Sequence, residues 1–361
     1  MSGIKHRIIA GLILLAGLLA IAITSCSDNP SGNDNDPVSP ARLYVLDSRS
    51  GFLMSLDIPA DTIFDSVRLD YNVSGLFLNG NCLLVGNSDQ SQTYIYNAAD
   101  LSAAGTSALY GQFFIDDPDG YGVYLPSDSE AIYLVDPLTL APTDSILRRA
   151  AHGYLDTLNN LFYAAYITEP RDTTSVIYII DCVAGQLIDS AVVNFGVYAL
   201  ATNSGTGEIC FHGRFPDHDA GFYRLDPGTD SLSLIFDLVG PMGYVSITPD
   251  NKRIIMTDGA YGSEFYSYAF YVNVFDATTR EVVDIIPAFQ YPRGPGFANL
   301  IFGDIAVTPD SRKAYVGTIY NRVVGYPLAV IDLEGCRVTN FIYPFNDFNP
   351  DFIALGPVPA E

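Results

Sequence analysis

Few residues of this chain carry obvious chemistry, and they are quickly named. Beyond residue 25 it has three histidines, His152, His212 and His218. The run Asp217-His218-Asp219 could offer ligands to a metal, and His152 could act as a base if the fold brought it a carboxylate. Glu130, Glu169, Glu208 and Glu264 are available as partners, but no spacing singles one out. There is no HExxH and no sequence-local triad. An isolated histidine is more often a surface residue than a ligand. No catalytic or metal-ligating residue is therefore assigned, and no cofactor is implied.

One residue does carry a chemical assignment. Lys5, His6 and Arg7 precede an unbroken apolar run, Ile8 to Ile23, which ends in Ile23-Thr24-Ser25-Cys26. The run suits an export signal and is short for a membrane-spanning helix. Its end resembles the bacterial lipobox: an aliphatic residue, two small residues, then cysteine. The small residues admit a peptidase, and the Cys26 thiol would carry diacylglycerol. Residues 1–25 are then a removed signal, and 26–41 a linker too polar to bury a core. Ser27 follows the cysteine in place of Asp. By resemblance to the Gram-negative sorting rule, this favours the outer membrane of the cell envelope over the inner membrane.

Loss of residues 1–25 removes two of 18 basic residues and no acidic ones, leaving 16 against 41, a formal charge of −25. Such a chain is a poor ligand for nucleic acid or anionic headgroups. Its contact with the membrane is expected through the lipid alone. Four cysteines remain besides Cys26: Cys82, Cys182, Cys210 and Cys336. A Cys182–Cys210 bridge between successive repeats is allowed, but buried free thiols are the favoured reading.

Short β-branched and aromatic runs broken by Gly, Pro, Asn and Asp dominate the rest, which reads as all-β. The pattern repeats about every 40 residues, the spacing of propeller blades. Seven apolar strands end in an acid or amide: MSLD (54–57), YIYN (94–97), YLVD (133–136), YIID (178–181), YRLD (223–226), NVFD (273–276) and AVID (329–332). Such residues accept hydrogen bonds from backbone N–H groups just beyond them, so these seven are assigned to turns. A second strand precedes each, from RLYVLD (42–47) to KAYVG (313–317). Before six of those lies a strand-plus-turn piece; the seventh stands at the C-terminus, PDFIALGPV (350–358). The count closes only if the ends meet. The expectation is a seven-bladed β-propeller over residues 42–361, its N-terminal blade completed by the C-terminal strand.

Blades such as GYVSITPDNKRIIMTDG…FYVNVFDATTREVVDIIP and GDIAVTPDSRKAYVGT…PLAVIDLEGCRVTNFI resemble the YVTN-type propeller repeat. The likeness is close over roughly 240–358 and degenerate before it. The resemblance implies the fold and leaves the activity open, because the family mixes surface and periplasmic binding proteins with enzymes of related blade type.

In such a disc, the loops from second to third strand and from blade to blade share one face. On that face the later blades have long segments, 212–220, 257–269, 288–302, 317–327 and 342–349. They hold Phe265, Tyr266, Tyr268, Phe289, Tyr291, Phe297, Tyr320, Asn321, Tyr343, Phe345, Asn346 and Phe348. The scarce arginines Arg49, Arg148, Arg149, Arg171, Arg214, Arg293 and Arg322 fall there too. Aromatics stack on sugars, and guanidinium forks suit carboxylates. The candidate ligand-binding set is Arg171, Arg214, Tyr266, Tyr291, Arg293, Tyr320, Arg322 and Phe345. The function read from this is a cell-envelope binding or protein-interaction module whose partner is an envelope protein or an anionic or glycan-like ligand. The alternative is a lactonase-like hydrolase or lyase with a polar site over the central channel.

Overall fold

Alternating apolar residues give each strand two sides to bury, and a strand with two buried sides must sit between neighbours. The computed structural model satisfies this with seven four-stranded antiparallel sheets set as the blades of one propeller. It describes residues 41–48, 50–115, 120–126, 130–168, 174–214, 220–238, 243–261, 268–290, 301–319, 327–343 and 350–357. No helix occurs among the described residues.

Blade 1 holds β1 (Ala41–Asp47), β2 (Phe52–Asp57) and β3 (Thr62–Arg68). Blade 2 holds β4 (Val73–Asn79), β5 (Cys82–Asn87), β6 (Gln92–Asn97) and β7 (Ala103–Ser107). Blade 3 follows with β8 (Gly111–Ile115), β9 (Gly122–Pro126), β10 (Ile132–Val135) and β11 (Pro142–Ile146). In blade 4 are β12 (His152–Asp156), β13 (Leu161–Ile167), β14 (Ser175–Asp181) and β15 (Gln186–Val193). Blade 5 has β16 (Gly196–Asn203), β17 (Glu208–Arg214), β18 (Ala220–Asp226) and β19 (Ser231–Leu238). Blade 6 has β20 (Val245–Ile247), β21 (Arg253–Tyr261), β22 (Tyr268–Asp276) and β23 (Val282–Gln290). Blade 7 has β24 (Ile301–Val307), β25 (Lys313–Ile319), β26 (Leu328–Asp332) and β27 (Arg337–Ile342). The last strand, β28 (Pro350–Pro357), returns to blade 1 and gives it the order β28-β1-β2-β3. Val45 pairs with Ile353 and Ala41 with Pro357, so the ring closes between its two ends as the strand count required.

The first strands of the blades pack side by side around the axis, β28 against β4 and β24, and β16 against β12 and β20. One apolar cluster fills each gap between blades. Tyr163, Leu200 and Phe211 join blades 4 and 5; Leu43, Tyr315 and Ile353 join blades 7 and 1. Each such side chain removed from water stabilises the ring by about 1.5–3 kcal/mol.

The face carrying the first-to-second and third-to-fourth turns is tied down. Asn97, Asp136, Asp181, Asp226, Asp276 and Asp332 each accept from a backbone N–H two or three residues on, at 2.7–3.1 Å. This is the turn role expected of them, and backbone N–H donors hold the exposed Asp276 carboxyl below the ordinary range. The same face is sewn from blade to blade. Tyr44 Oη donates to Ala98 O at 3.0 Å, and Asn79 Nδ2 to Pro137 O at 2.6 Å. Glu208 meets Arg280 Nη2 at 2.5 Å, and Asp61 accepts from Tyr315 Oη at 2.6 Å and Lys313 Nζ at 3.0 Å.

Two expectations are corrected. Several segments assigned to loops are strand: β17 runs to Arg214, β21 to Tyr261, and β22 begins at Tyr268. Cross-strand pairs such as Ala260–Ala269 and Tyr261–Tyr268 extend those ladders, as β-favouring residues do when a partner is opposite. The chain enters the disc at β1, second from the axis in blade 1. Cys182 and Cys210 are free and buried, the reading favoured from sequence, and Cys336 is free and half-buried. Cys82 departs from that reading: it is buried on β5 and disulfide-bonded.

Candidate functional site

With one face fixed by turn chemistry, the other is where side chains have latitude. Of the residues proposed from sequence for that face, Arg214 ends β17 half-buried at the expected level. Arg148 and Arg149 lie exposed between blades 3 and 4. Arg149 pairs with Glu130, and the Arg148 guanidinium stands 5.9 Å over the Tyr178 ring. Tyr343 is 60% exposed beside Phe341. Arg171, Tyr266, Tyr291, Arg293, Tyr320, Arg322 and Phe345 lie outside the described residues, as do Cys26, Arg49, His218 with its flanking acids, Glu169, Glu264, Phe265, Phe297, Asn321, Asn346 and Phe348. The side chains of Tyr268 and Phe289 are likewise not described.

A second set of residues comes together in the long-loop half of the channel. Strand registers set its level. Gln112 pairs with Leu125, His152 with Ala165, and Ala199 with His212. In blades 5 and 7 the first strand carries extra residues there. The register shifts around Tyr198 and again over Gly303-Asp304. Such bulges re-aim side chains and are common beside sites. An inner strand is covered by neighbouring blades on both sides and paired along one edge. Its half-buried side chains can therefore reach solvent only toward the axis. Gln112, His152, Tyr198 and Asp304 are all half-buried.

Contacts tie each of these residues to a neighbouring blade. Gln112 Nε2 donates to Ala151 O of blade 4 at 3.2 Å. The His152 and Tyr198 rings lie 6.3 Å apart, centre to centre, and Tyr198 and His212 5.9 Å. Asp304 accepts from its neighbour Ile305 N and from Ile353 N on the inner strand of blade 1.

The electrostatics are unusual for so acidic a chain. Desolvation lowers the His152 pKa and takes His212 down to about 4, with Arg214 adding repulsion in the second case, so both rings are neutral near pH 7. His212 is not the surface residue expected. It is 0% exposed, and neither ring nitrogen has a hydrogen-bond partner. Asp304 moves the other way: burial raises its carboxyl to about 6, against the pull of the two N–H donors. Its surface keeps some contact with solvent while protein encloses it, as for any group lining a narrow channel. Perturbed groups of opposite sense gathered in a concavity are a mark of functional sites. Among the described residues, however, neither imidazole is hydrogen-bonded to a carboxylate, and no group of three His, Cys, Asp or Glu could hold a metal. What the strands provide is a set of half-buried polar side chains at one level of the inner strands.

One signal for this site is visible in the repeats themselves. The related pieces GYVSITPD and GDIAVTPD place Tyr244 and Asp304 at one level, an acid where a strand interior disfavours it. Tyr244 packs into the cluster between blades 6 and 7, whereas Asp304 is left at the channel.

No family model matches the chain, and no curated protein matches it. Solved propellers are similar in shape. A functionally unknown protein from Desulfotomaculum acetoxidans aligns over 87% of this chain and 98% of its own, at 13% identity and TM-score 0.59. Kuenenia stuttgartiensis hydrazine synthase aligns over 82% and 100%, at 12% identity and TM-score 0.57. The dihydro-heme d1 dehydrogenase NirN, in complex with DHE, aligns over 91% and 78%, at 13% identity and TM-score 0.56. At these identities the likeness establishes the fold alone: the chain is a seven-bladed β-propeller.

Proposed function

We propose that this protein is a bacterial cell-envelope lipoprotein, held through lipid on Cys26, whose propeller of YVTN-type blades binds its partner with the long-loop face. One observation carries the orientation. Ala41, the first residue of β1, pairs with Pro357 at the tight-turn end of blade 1. A chain arriving from the membrane through residues 26–40 meets the disc on the tight face, one strand out from the axis. The long-loop face is then turned away from the anchor, toward whatever lies beyond. Gln112, His152, Tyr198 and Asp304 lie toward that same side of their inner strands.

Ser27 favours the outer membrane as the site of attachment. A diacyl or triacyl anchor holds two or three chains, enough for stable attachment.

Metabolic labelling with an alkyne-bearing palmitate tests the anchor. The wild-type chain is expected to take up label and pellet with membranes, and Cys26→Ser to lose both properties. A wild-type chain that stays unlabelled in the soluble fraction would refute the proposal.

A further inference from the structure

We propose that the long-loop half of the channel, lined by Gln112, His152, Tyr198 and Asp304, is a binding site for the end of an uncharged, hydroxyl-rich ligand, a glycan. The inference rests on the reading that the long-loop face is the working face, and it adds the place and the ligand chemistry.

Three arguments select that chemistry. A primary amide, a neutral imidazole and a phenol each donate and accept, which matches hydroxyl groups that do the same. Tyr198 adds a ring between His152 and His212, of the kind on which a sugar face stacks. Asp304 supplies an acceptor whose donors among the described residues are the backbone N–H groups of Ile305 and Ile353, leaving lone pairs for a ligand.

Charge excludes the alternatives. An anion would face Asp304 inside a chain of net charge −23. An ammonium could use Asp304 but would leave the amide and the imidazole unmatched, and groups desolvated without partners are costly. A glycan end uses all four.

His212 is the second, independent sign. It lies behind Tyr198, is fully buried, and has neither nitrogen satisfied. Buried polar groups are normally paired, and an exception asks for an explanation. A ligand hydroxyl that displaces or tilts the Tyr198 ring would supply the missing partner.

The test uses the full-length lipidated chain in detergent and saturation-transfer NMR with calorimetry. The probes are neutral hexose and N-acetylhexosamine oligomers, with uronic-acid and amino-sugar oligomers as charged controls. Neutral oligomers are expected to bind, and both Tyr198→Ala and Asp304→Asn to weaken that binding tenfold or more. Asp304→Asn guards against loss by unfolding, because that variant is expected to be the more stable protein. No binding of any neutral oligomer, or a preference for the charged ones, would overturn the proposal. Binding untouched by both channel variants but lost in Arg214→Ala would overturn the channel assignment while leaving the working face in place.

Discussion

Removal of residues 350–361 is expected to abolish the cooperative unfolding transition of the whole propeller. That segment contains β28, the inner strand of blade 1. Without it β1 loses seven paired residues, from Ala41–Pro357 to Asp47–Pro350, and presents an open edge to the channel. Two inter-blade clusters open together. Ile353 and Leu355 leave the one between blades 7 and 1, and Phe352 and Ala354 the one between blades 1 and 2. At about 1.5–3 kcal/mol for each large apolar group, the loss is roughly 5–8 kcal/mol before hydrogen bonds are counted. Whole domains are stable by only about 5–15 kcal/mol. Urea titration followed by circular dichroism should show a broad, low-amplitude transition with dye-binding apolar surface at zero denaturant. A sharp transition close to the wild-type midpoint would show that closure does not hold the ring.

The second large effect has the opposite sign: Asp304→Asn should stabilise the protein at neutral pH. Burial raises the folded-state carboxyl to about 6, whereas in an unfolded chain it titrates near 3.9. Below about pH 3.9 both states hold the proton, and the group costs nothing. As pH rises from there to about 6 the folded state retains protons that the unfolded state has released. Stability therefore falls through that window, and the full cost stands above it. The raised value corresponds to about 3 kcal/mol as an upper bound, and relaxation around the channel brings the expected gain to about 1–3 kcal/mol. The asparagine Oδ1 can still accept from Ile305 and Ile353. Urea midpoints for the two proteins should differ at pH 7 and converge toward pH 4. The turn carboxylates Asp89, Asp100 and Asp276, held low by N–H and hydroxyl donors, weaken both proteins alike as pH falls, so the difference isolates Asp304. Equal midpoints at pH 7 would mean that Asp304 carries no burial cost. A stability gain coupled to a loss of binding is the pattern of a residue kept for function.

The repeated features were legible in the sequence because each is stated seven times. The acid-ended strands, the turns they cap and the C-terminal strand that completes blade 1 all follow from one spacing, and the structure has them. The site residues were not legible in that way. Gln112, His152, Tyr198 and Asp304 occur once each, at one level of four different blades, and an average over repeats removes them. Their meeting depends on register and on the bulges at Tyr198 and Gly303-Asp304, which leave no local pattern. His212 shows the limit most plainly. In sequence it opens a segment rich in loop-forming residues, yet β17 continues through it and carries its ring into the core.

Blade 5 offers the most direct trial of the account, because it bears both faces within a few residues. Arg214 ends β17 at the long-loop face, and exposed Thr229 sits in the turn after β18 at the tight face. A photo-crosslinking amino acid placed at each in turn, in intact cells, reads which face meets a partner. Covalent adducts to envelope protein or glycan are expected from position 214 and not from position 229. Adducts from 229 alone, or equal yields from both, would contradict a propeller that works with its long-loop face.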